Sequence, residues 1–429
     1  GVEPVKGQIN MTYLDQVETL VNKLGKQGIY SLLDFHQDDI SEYFCGEGIP
    51  DWSIPFERRN VDRFALPIID EQWPRDEHNH PNREQCLKHN FFSLYETAQV
   101  GNIMECLYNE SCNPFSPFNE PQDDSYSLQK AFIHYWQVVS KFFADNEYVI
   151  GYDLINEPAM NQAGNPQSIF HVDLYEKQIL QPFYQNVMSA IFENDKNHLI
   201  FFEPIVVNNF KSGFDVNGPG AKFNIPNENQ VFTYHVYCST LDKDKDPRSF
   251  LCPVQDLYEY EERRKVASDL NLSYFVDEFG AVADSELGVQ NLKYILNLYG
   301  KHASSWAYWQ FKPFGDFTTC FNSNDDKNEG LFYKNGSVQE NKVKVLSHPY
   351  LQVVAGKVSV NLFDFDENSL QISMTTGKIG DNSVIPIGKM WRFFGRQTDV
   401  ISGKGAVKVV LMKDQVTIIN LKENEDVQL

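Results

Sequence analysis

Two short segments close strand-like apolar runs on a carboxylate. Asp153-Leu154-Ile155-Asn156-Glu157-Pro158 ends the run from Val149, and Phe275-Val276-Asp277-Glu278-Phe279-Gly280 ends another. A pair of carboxyls is the equipment for glycosidic-bond hydrolysis: one protonates the departing oxygen while the other attacks the anomeric carbon. In a parallel β/α barrel the catalytic groups stand at the C-terminal ends of strands, which is where both glutamates fall. Glu157 is therefore the candidate acid/base and Glu278 the candidate nucleophile of a retaining reaction, which needs carboxyls about 5 to 5.5 Å apart. Their protonation states must differ, one carboxyl holding a proton while the other is ionised.

The elements that must position these groups alternate as a barrel requires. Leu14, Val17, Leu20, Val21 and Leu24 share one helical face, and Gly28 precedes a strand over Ile29–Phe35. Residues 43–124 lack periodicity and are crowded with Pro, Asn, Asp and aromatic side chains, so they read as a long excursion of the kind that builds a substrate site on a barrel rim. Helices are expected over Gln129–Ala144 and Leu174–Phe192, and strands over Val149–Ile155, Leu199–Glu203, Val231–Tyr237, Tyr274–Glu278 and Ser305–Gln310. The strand count is six where a complete barrel has eight. The expected fold is α/β: a TIM barrel with its first two strands missing from this chain, strands 3 to 8 lying in residues 1–346. From about Pro349 the texture changes to short strands without helices: Val358–Leu362, Leu370–Met374, Met390–Phe394, Val407–Leu411 and Val416–Asn420. Residues 347–429 are expected to form a C-terminal antiparallel β-sandwich that packs against the barrel, since no aromatic row marks a binding face.

Composition narrows the partners. The chain has 429 residues, 42% hydrophobic and 14% aromatic, enough for a buried core and sugar-stacking walls. A net charge of −22 disfavours nucleic-acid and anionic-membrane partners, whose phosphates would be repelled. No apolar run approaches the ~20 residues of a membrane helix. Sequons at Asn10, Asn109, Asn271 and Asn335, with seven cysteines that include the close pairs Cys106/Cys112 and Cys238/Cys252, point to secretion or to a lysosomal or endosomal lumen. The cysteine spacing fits no zinc site, so both close pairs are expected as disulfides, leaving an odd cysteine free or paired outside the chain.

Asn156-Glu157-Pro158, Tyr234-His235-Val236-Tyr237, Asp277-Glu278-Phe279-Gly280 and Trp309 together resemble the family-five glycoside hydrolases. Within that family, Asp34-Phe35-His36-Gln37-Asp38 followed by the stretch from Phe44 to Trp52 is similar to the endoglycoceramidases. So are Gly1-Val2-Glu3-Pro4 with Gly7-Gln8, and Pro349-Tyr350 with Val354-Ala355-Gly356. The resemblance spans nearly the whole chain. It implies cleavage of the β-linkage between glucose and the primary hydroxyl of ceramide in a glycosphingolipid, with the glycan released intact. No metal or organic cofactor is implied. The substrate implies transient contact with a membrane or micelle surface.

Chemistry and the matched positions give the other residues their expected roles. Asn156 would donate to the sugar 2-hydroxyl, His235 and Tyr237 would orient Glu278, Trp309 would floor the sugar, and His36 and Asp38 would hold glucose hydroxyls. A lone strand-end His or Trp is commonly a satisfied core residue, but their occurrence at successive strand ends favours a site. Asp153 and Asp277 are expected to supply supporting hydrogen bonds. An apolar slot for ceramide is expected among Phe44, Trp52, Phe56, Phe64 and Trp73, with Phe311, Phe314 and Phe317. The family's early strands carry an arginine that supports the nucleophile and has no match here, so an N-terminal fragment of the same protein is expected to complete the barrel. Two alternatives accompany this reading: a β-glucosidase of glucosylceramide or steryl glucoside, and a non-catalytic glycolipid-binding or structural protein.

Overall fold

The computed structural model describes residues 1–54, 63–65, 68–70, 74–86, 95, 97–110, 127–162, 166–206, 211–238, 246–247, 250–312, 329–391 and 399–429. Six strands hydrogen-bond in chain order as one sheet: β1 (Ser31–Asp34), β2 (Val149–Asp153), β3 (Leu199–Phe202), β4 (Gln230–Val236), β5 (Ser273–Gly280) and β6 (Ser305–Trp309). The pairs β1/β2, β2/β3, β3/β4 and β5/β6 are parallel. A Cβ at Gly151 in β2 would overlap the Leu199 carbonyl oxygen, so only glycine lets these two backbones lie this close.

The chain falls into two compact units. One takes most of Gly1–Tyr234 with Glu262–Tyr274; the other takes most of His235–Glu261, Phe275–Gly315 and Ser323–Leu429. Among the described residues no helix is long and apolar enough to cross a membrane.

In the first unit, α1 (Met11–Gly25), α2 (Ala98–Tyr108) and α3 (Leu128–Phe143) are each capped by the side chain before them, Asn10, Thr97 and Ser127, which satisfies an orphan amide of the first turn. α3 buries Leu128, Ala131, Phe132, Trp136, Val139 and Phe143 along one face. The Trp136 indole N–H donates to the Leu154 carbonyl at 3.1 Å, tying this helix to the chain just before Glu157.

Several expectations shift. The excursion over 43–124 contains α2, which buries Val100, Ile103, Met104 and Leu107, and it is stapled by a Cys45–Cys86 disulfide across 41 residues. The helix expected over Leu174–Phe192 opens as Val172–Tyr175, passes through a π-turn at Glu176–Leu180 and becomes regular only in α4 (Gln181–Asn194). There Glu176 is buried and accepts from the amides of Ile205 (3.3 Å) and Gly213 (2.7 Å), which fixes the turn from outside the helix. Ile29 and Tyr30 lie before the strand rather than in it, at 52% and 60% exposure.

Behind β2 and β3, Asp195 accepts from the Tyr152 hydroxyl (2.6 Å), from His198 Nδ1 (2.5 Å) and from the amides of Asn197 and His198. Burial raises this carboxyl, but the hydrogen bonds outweigh it and hold Asp195 down at about 2. A depressed carboxyl contributes stability that is present above its unfolded value and lost as pH falls through the folded one, here roughly 2 kcal/mol. His198 is raised by the same hydrogen bond, so its share is present at low pH and fades as pH climbs through its raised value. The thermal midpoint of Asp195→Asn is expected to fall short of the native one near neutrality and to converge with it between about pH 4 and 2. A constant gap across that range would contradict the assignment.

In the second unit, α6 (Glu286–Lys301), capped by Ser285, and α7 (Glu340–Leu346) accompany β5 and β6. α5 (Leu251–Asp269), β4 and β5 each carry residues of both units. A Cys238–Cys252 disulfide joins the end of β4 to the start of α5, as the close spacing suggested. Cys106 is also disulfide-bonded, while Cys112 and Cys320 lie outside the described residues.

Two antiparallel three-stranded sheets follow. One has the order β12 (Asp426–Gln428), β8 (Ser369–Thr376), β7 (Gly356–Asp364); the other has β9 (Asn382–Pro386), β11 (Gln415–Asn420), β10 (Val407–Leu411). Phe363, Ile372, Met374, Ile385, Val407, Ile418 and Val427 from both sheets share one buried core. β9 and β12 are additions to the expected strands. The strand expected over Met390–Phe394 is corrected at its start, where Lys389–Trp391 forms a 3₁₀ turn. Trp391 is buried in the core and its indole donates to the Lys344 carbonyl, so this side chain plugs the core, while Arg392, Phe393 and Phe394 lie outside the described residues.

Candidate active site

The first group of candidates lies in the first unit, at the ends of β1 and β2. Beyond β2 the chain is held close to its neighbours: the Leu154 amide donates to the Phe201 carbonyl and the Asn156 amide to the Phe35 carbonyl, both at 3.1 Å. Asn156 and Glu157 are buried, and Glu157 has φ of +43°, a left-handed backbone that few non-glycine residues adopt. Gln37 Nε2 donates to the carbonyls of Asn156 (2.7 Å) and Glu157 (3.1 Å), and Asn156 Nδ2 returns a bond to the Gln37 carbonyl (3.0 Å). Glu203, directly after β3, accepts the Glu157 amide at 3.2 Å.

His36 is brought into the same cluster, with Nδ1 2.8 Å from Asp34 Oδ2, Nε2 3.4 Å from Asp38 Oδ2, and Asn156 Nδ2 3.5 Å away. Burial pulls its imidazole down, but Asp34 and Asp38 outweigh this and raise it well above the ordinary histidine value. His36 is thus held between two carboxylates. Asp38 is held by paired backbone bonds with Glu47 and by the Tyr95 hydroxyl at 3.4 Å. A Cβ at Gly46 would overlap the Asp38 carbonyl, so this loop requires glycine there. Next to it Asp39 is fully buried with φ of +48°, and neither carboxylate oxygen has a hydrogen-bond partner among the described residues. Burial, with Asp38 and Glu157 adding to it, raises Asp39 well above the usual carboxylate range.

The second group lies in the second unit, on β4, β5 and β6. The Tyr237 hydroxyl donates to Glu278 Oε2 at 2.8 Å, His235 Nδ1 stands 3.3 Å from the same oxygen, and His235 Nε2 is 3.8 Å from Asp277 Oδ1. Tyr237 and His235 therefore both approach Glu278 Oε2. Trp309 lies opposite Gly280 in the β5/β6 register, and its indole N–H donates to Glu329 Oε2 at 2.9 Å.

Glu329 is itself clamped. Its carbonyl accepts the Tyr308 hydroxyl at 2.7 Å, and fully buried Lys342 donates to the carbonyls of Gly330 (2.7 Å) and Val282 (2.9 Å). Burial pulls the Lys342 ammonium down to about 7 even though Asp284 and Glu329 hold it up. Glu329→Ala is expected to loosen Trp309 and lower kcat/KM by about tenfold or more, whereas Glu329→Gln, which retains an acceptor oxygen, should recover most of the loss. The Trp309 emission maximum under sugar titration checks this, and equal loss in both variants would contradict it.

The expected slot residues divide. Phe44 is corrected to a core residue, since it is fully buried. Trp52 is half-buried, donates to the Glu3 carbonyl at 2.8 Å and lines a cavity of about 380 Å³ with Phe35, Ile49, Phe132 and Tyr135. Phe311 is 69% exposed. Phe56, Trp73, Phe314, Phe317 and the side chain of Phe64 lie outside the described residues. Gln37, Tyr95, Glu203 and Glu329 were not singled out from the sequence as site residues. Gln37 sits inside the Asp34–Asp38 motif, and Glu203 closes an apolar strand much as the candidate glutamates do, so both carried a readable signal.

Comparison with known proteins bears on the family of the chain. An endoglycoceramidase of Cyanea nozakii is 28% identical over 365 residues, covering 85% of this chain and 66% of the relative. An endoglycoceramidase of Hydra vulgaris is 26% identical over 367 residues, covering 85% of this chain and 62% of the relative, so the chain spans just under two thirds of these proteins. The fold is shared with endo-glycoceramidase II from Rhodococcus sp. solved as a ganglioside GM3 complex, at a TM-score of 0.70 and 19% identity, covering 100% of this chain and 85% of that one. The model of the cellulase family, glycosyl hydrolase family 5, matches residues 3–315, which include every strand of the parallel sheet and both strand-end glutamates. A match over that length, on strands carrying these carboxylates and their partners, makes the chain a member of glycosyl hydrolase family 5.

Proposed function

We propose that this chain is the catalytic part of a retaining hydrolase that cuts the β-glycosidic bond between the glycan and ceramide of glycosphingolipids. Glu278 attacks the anomeric carbon as the C–O bond to ceramide breaks, and Glu157 delivers its proton to the departing oxygen. Glu157, now ionised, takes a proton from water, whose oxygen displaces Glu278 and releases the whole glycan with its configuration retained. Tyr237 and His235 orient the attacking carboxylate, Asn156, His36 and Asp38 hold sugar hydroxyls, and Trp309 stacks beneath the ring. The observation that carries the reading is the anchoring of Glu278 Oε2 by Tyr237 near the C-terminal end of β5, with Glu157 buried just beyond β2.

The ceramide substrate is supported by the names of the two curated relatives and by the ganglioside complex of the similar fold. The apolar cavity beside Trp52 offers room for part of a lipid chain, with the enzyme touching its membrane or micelle transiently. In the same proposal, two further barrel strands and an arginine supporting the nucleophile come from an N-terminal part of the protein, and residues 347–429 serve as a packing domain. The Cys45–Cys86 and Cys238–Cys252 disulfides and exposed sequons at Asn271 and Asn335 support secretion or a lumenal site.

The test is product analysis with ganglioside, lactosylceramide, glucosylceramide and a cellulose oligomer. Intact glycan plus free ceramide is expected. Glucose from glucosylceramide alone would replace this reading with a β-glucosidase, and inactivity on all four would remove catalysis.

A further inference from the structure

We propose that Gln37 and Glu203 are positioning residues that brace the backbone of Glu157 and so hold its carboxyl in line with the departing oxygen. This rests on the reading of Glu157 as the acid/base. A non-glycine residue in the left-handed region costs roughly 1 to 3 kcal/mol and persists only where its surroundings fix it. Glu157, with φ of +43°, is in that position.

The Asn156 and Glu157 carbonyls and the Glu157 amide are taken by side chains from distant parts of the chain, while the Asn156 amide donates to the Phe35 carbonyl. Gln37 Nε2 takes both carbonyls, of Asn156 at 2.7 Å and Glu157 at 3.1 Å, and Glu203 Oε1 takes the Glu157 amide at 3.2 Å. Gln37 has no solvent exposure, and its other end is used as well: Oε1 accepts the Ile40 amide at 3.1 Å. That amide belongs to a second strained stretch, in which Asp39 and Ile40 have φ of +48° and +65°. One amide side chain thus locks two left-handed backbones at the ends of neighbouring strands. An ionised glutamate could not replace it, having no donor, and methionine has neither group. Glu203 is 3% exposed and its own carbonyl accepts the Tyr184 hydroxyl at 2.8 Å, so its carboxylate arrives from a fixed base. The strands themselves keep their ladder bonds without either side chain.

The chemistry supplies a readout that a purely structural role would not move. Ceramide leaves as a poor alkoxide and needs the proton of Glu157, whereas 2,4-dinitrophenolate leaves without one. In the second step azide attacks the glycosyl-enzyme without needing a base, giving a glycosyl azide.

The experiment compares wild type, Gln37→Met, Glu203→Ala, Glu203→Gln and, as reference, Glu157→Ala. Each is measured on lactosylceramide and on 2,4-dinitrophenyl β-lactoside with and without azide, in the full-length protein. Gln37→Met and Glu203→Ala are expected to lose about 100-fold in kcat on lactosylceramide with KM little changed, because a small displacement of the acid is enough for that loss. Their dinitrophenol burst should stay within about twofold of wild type, with azide raising the steady state. Glu203→Gln should recover most of what Glu203→Ala loses. Equal losses on both substrates, or Glu157→Ala rescued by azide while Gln37→Met is not, would overturn the brace and leave the acid/base reading standing. Failure of azide to rescue Glu157→Ala would overturn both. Should Gln37→Met fail to fold, the two Glu203 variants decide.

Discussion

Glu278→Gln is expected to reduce turnover of lactosylceramide by about 10⁴-fold or more while binding of the glycolipid persists. The substitution keeps the size of the side chain and an acceptor for the Tyr237 hydroxyl, which in the native protein donates to Glu278 Oε2 at 2.8 Å. In the proposed mechanism it removes the negative oxygen that forms the bond to the anomeric carbon. Measuring kcat together with glycolipid affinity separates the two effects. Activity at the native level would remove the nucleophile assignment, and loss of binding along with turnover would point to collapse of the site instead.

Glu157→Ala is expected to behave differently because its effect depends on the leaving group. On lactosylceramide the loss should be about 10² to 10⁴-fold, the usual worth of a placed general acid. On an aryl glycoside with an activated phenolate the first step should be nearly spared. The slope of log kcat/KM against leaving-group acidity should therefore become steeper in the variant than in the native enzyme. Parallel slopes, with a uniform drop across the series, would deny Glu157 the proton-transfer role.

How much of this was legible in the sequence depends on how local the determining interactions are. β2 could be read because the apolar stretch that opens at Val149 leads through Leu154 and Ile155 directly to the candidate Asn156 and Glu157. The α2 helix could not. Gly101 in its first turn reads as a breaker and its flanks are rich in polar residues, yet a Cβ at Gly101 would crowd Asn161, so glycine is there for contact rather than for a turn. Cys45 and Cys86 stand 41 residues apart, and spacing alone cannot pair them, whereas Cys238 and Cys252 are close enough to be paired by eye. The stretch Met390–Phe394 has strand composition, but Trp391 is used as a core plug. Gln37 and Glu203 act on backbone atoms 119 and 46 residues away, a relation that no local pattern encodes. The glutamates were legible for the opposite reason: a carboxylate closing an apolar strand is a local departure from what a buried sheet requires.

Peptide mass spectrometry after treatment with a 2-deoxy-2-fluoro-β-lactosyl fluoride, which forms the glycosyl-enzyme and then stalls, addresses the mechanism at the atom where it begins. The expected result is one fluorosugar on Glu278, released when a lipid alcohol or lactose acceptor is added. A label on any other residue, or active enzyme that turns over glycolipid without ever being labelled, would contradict retention through Glu278.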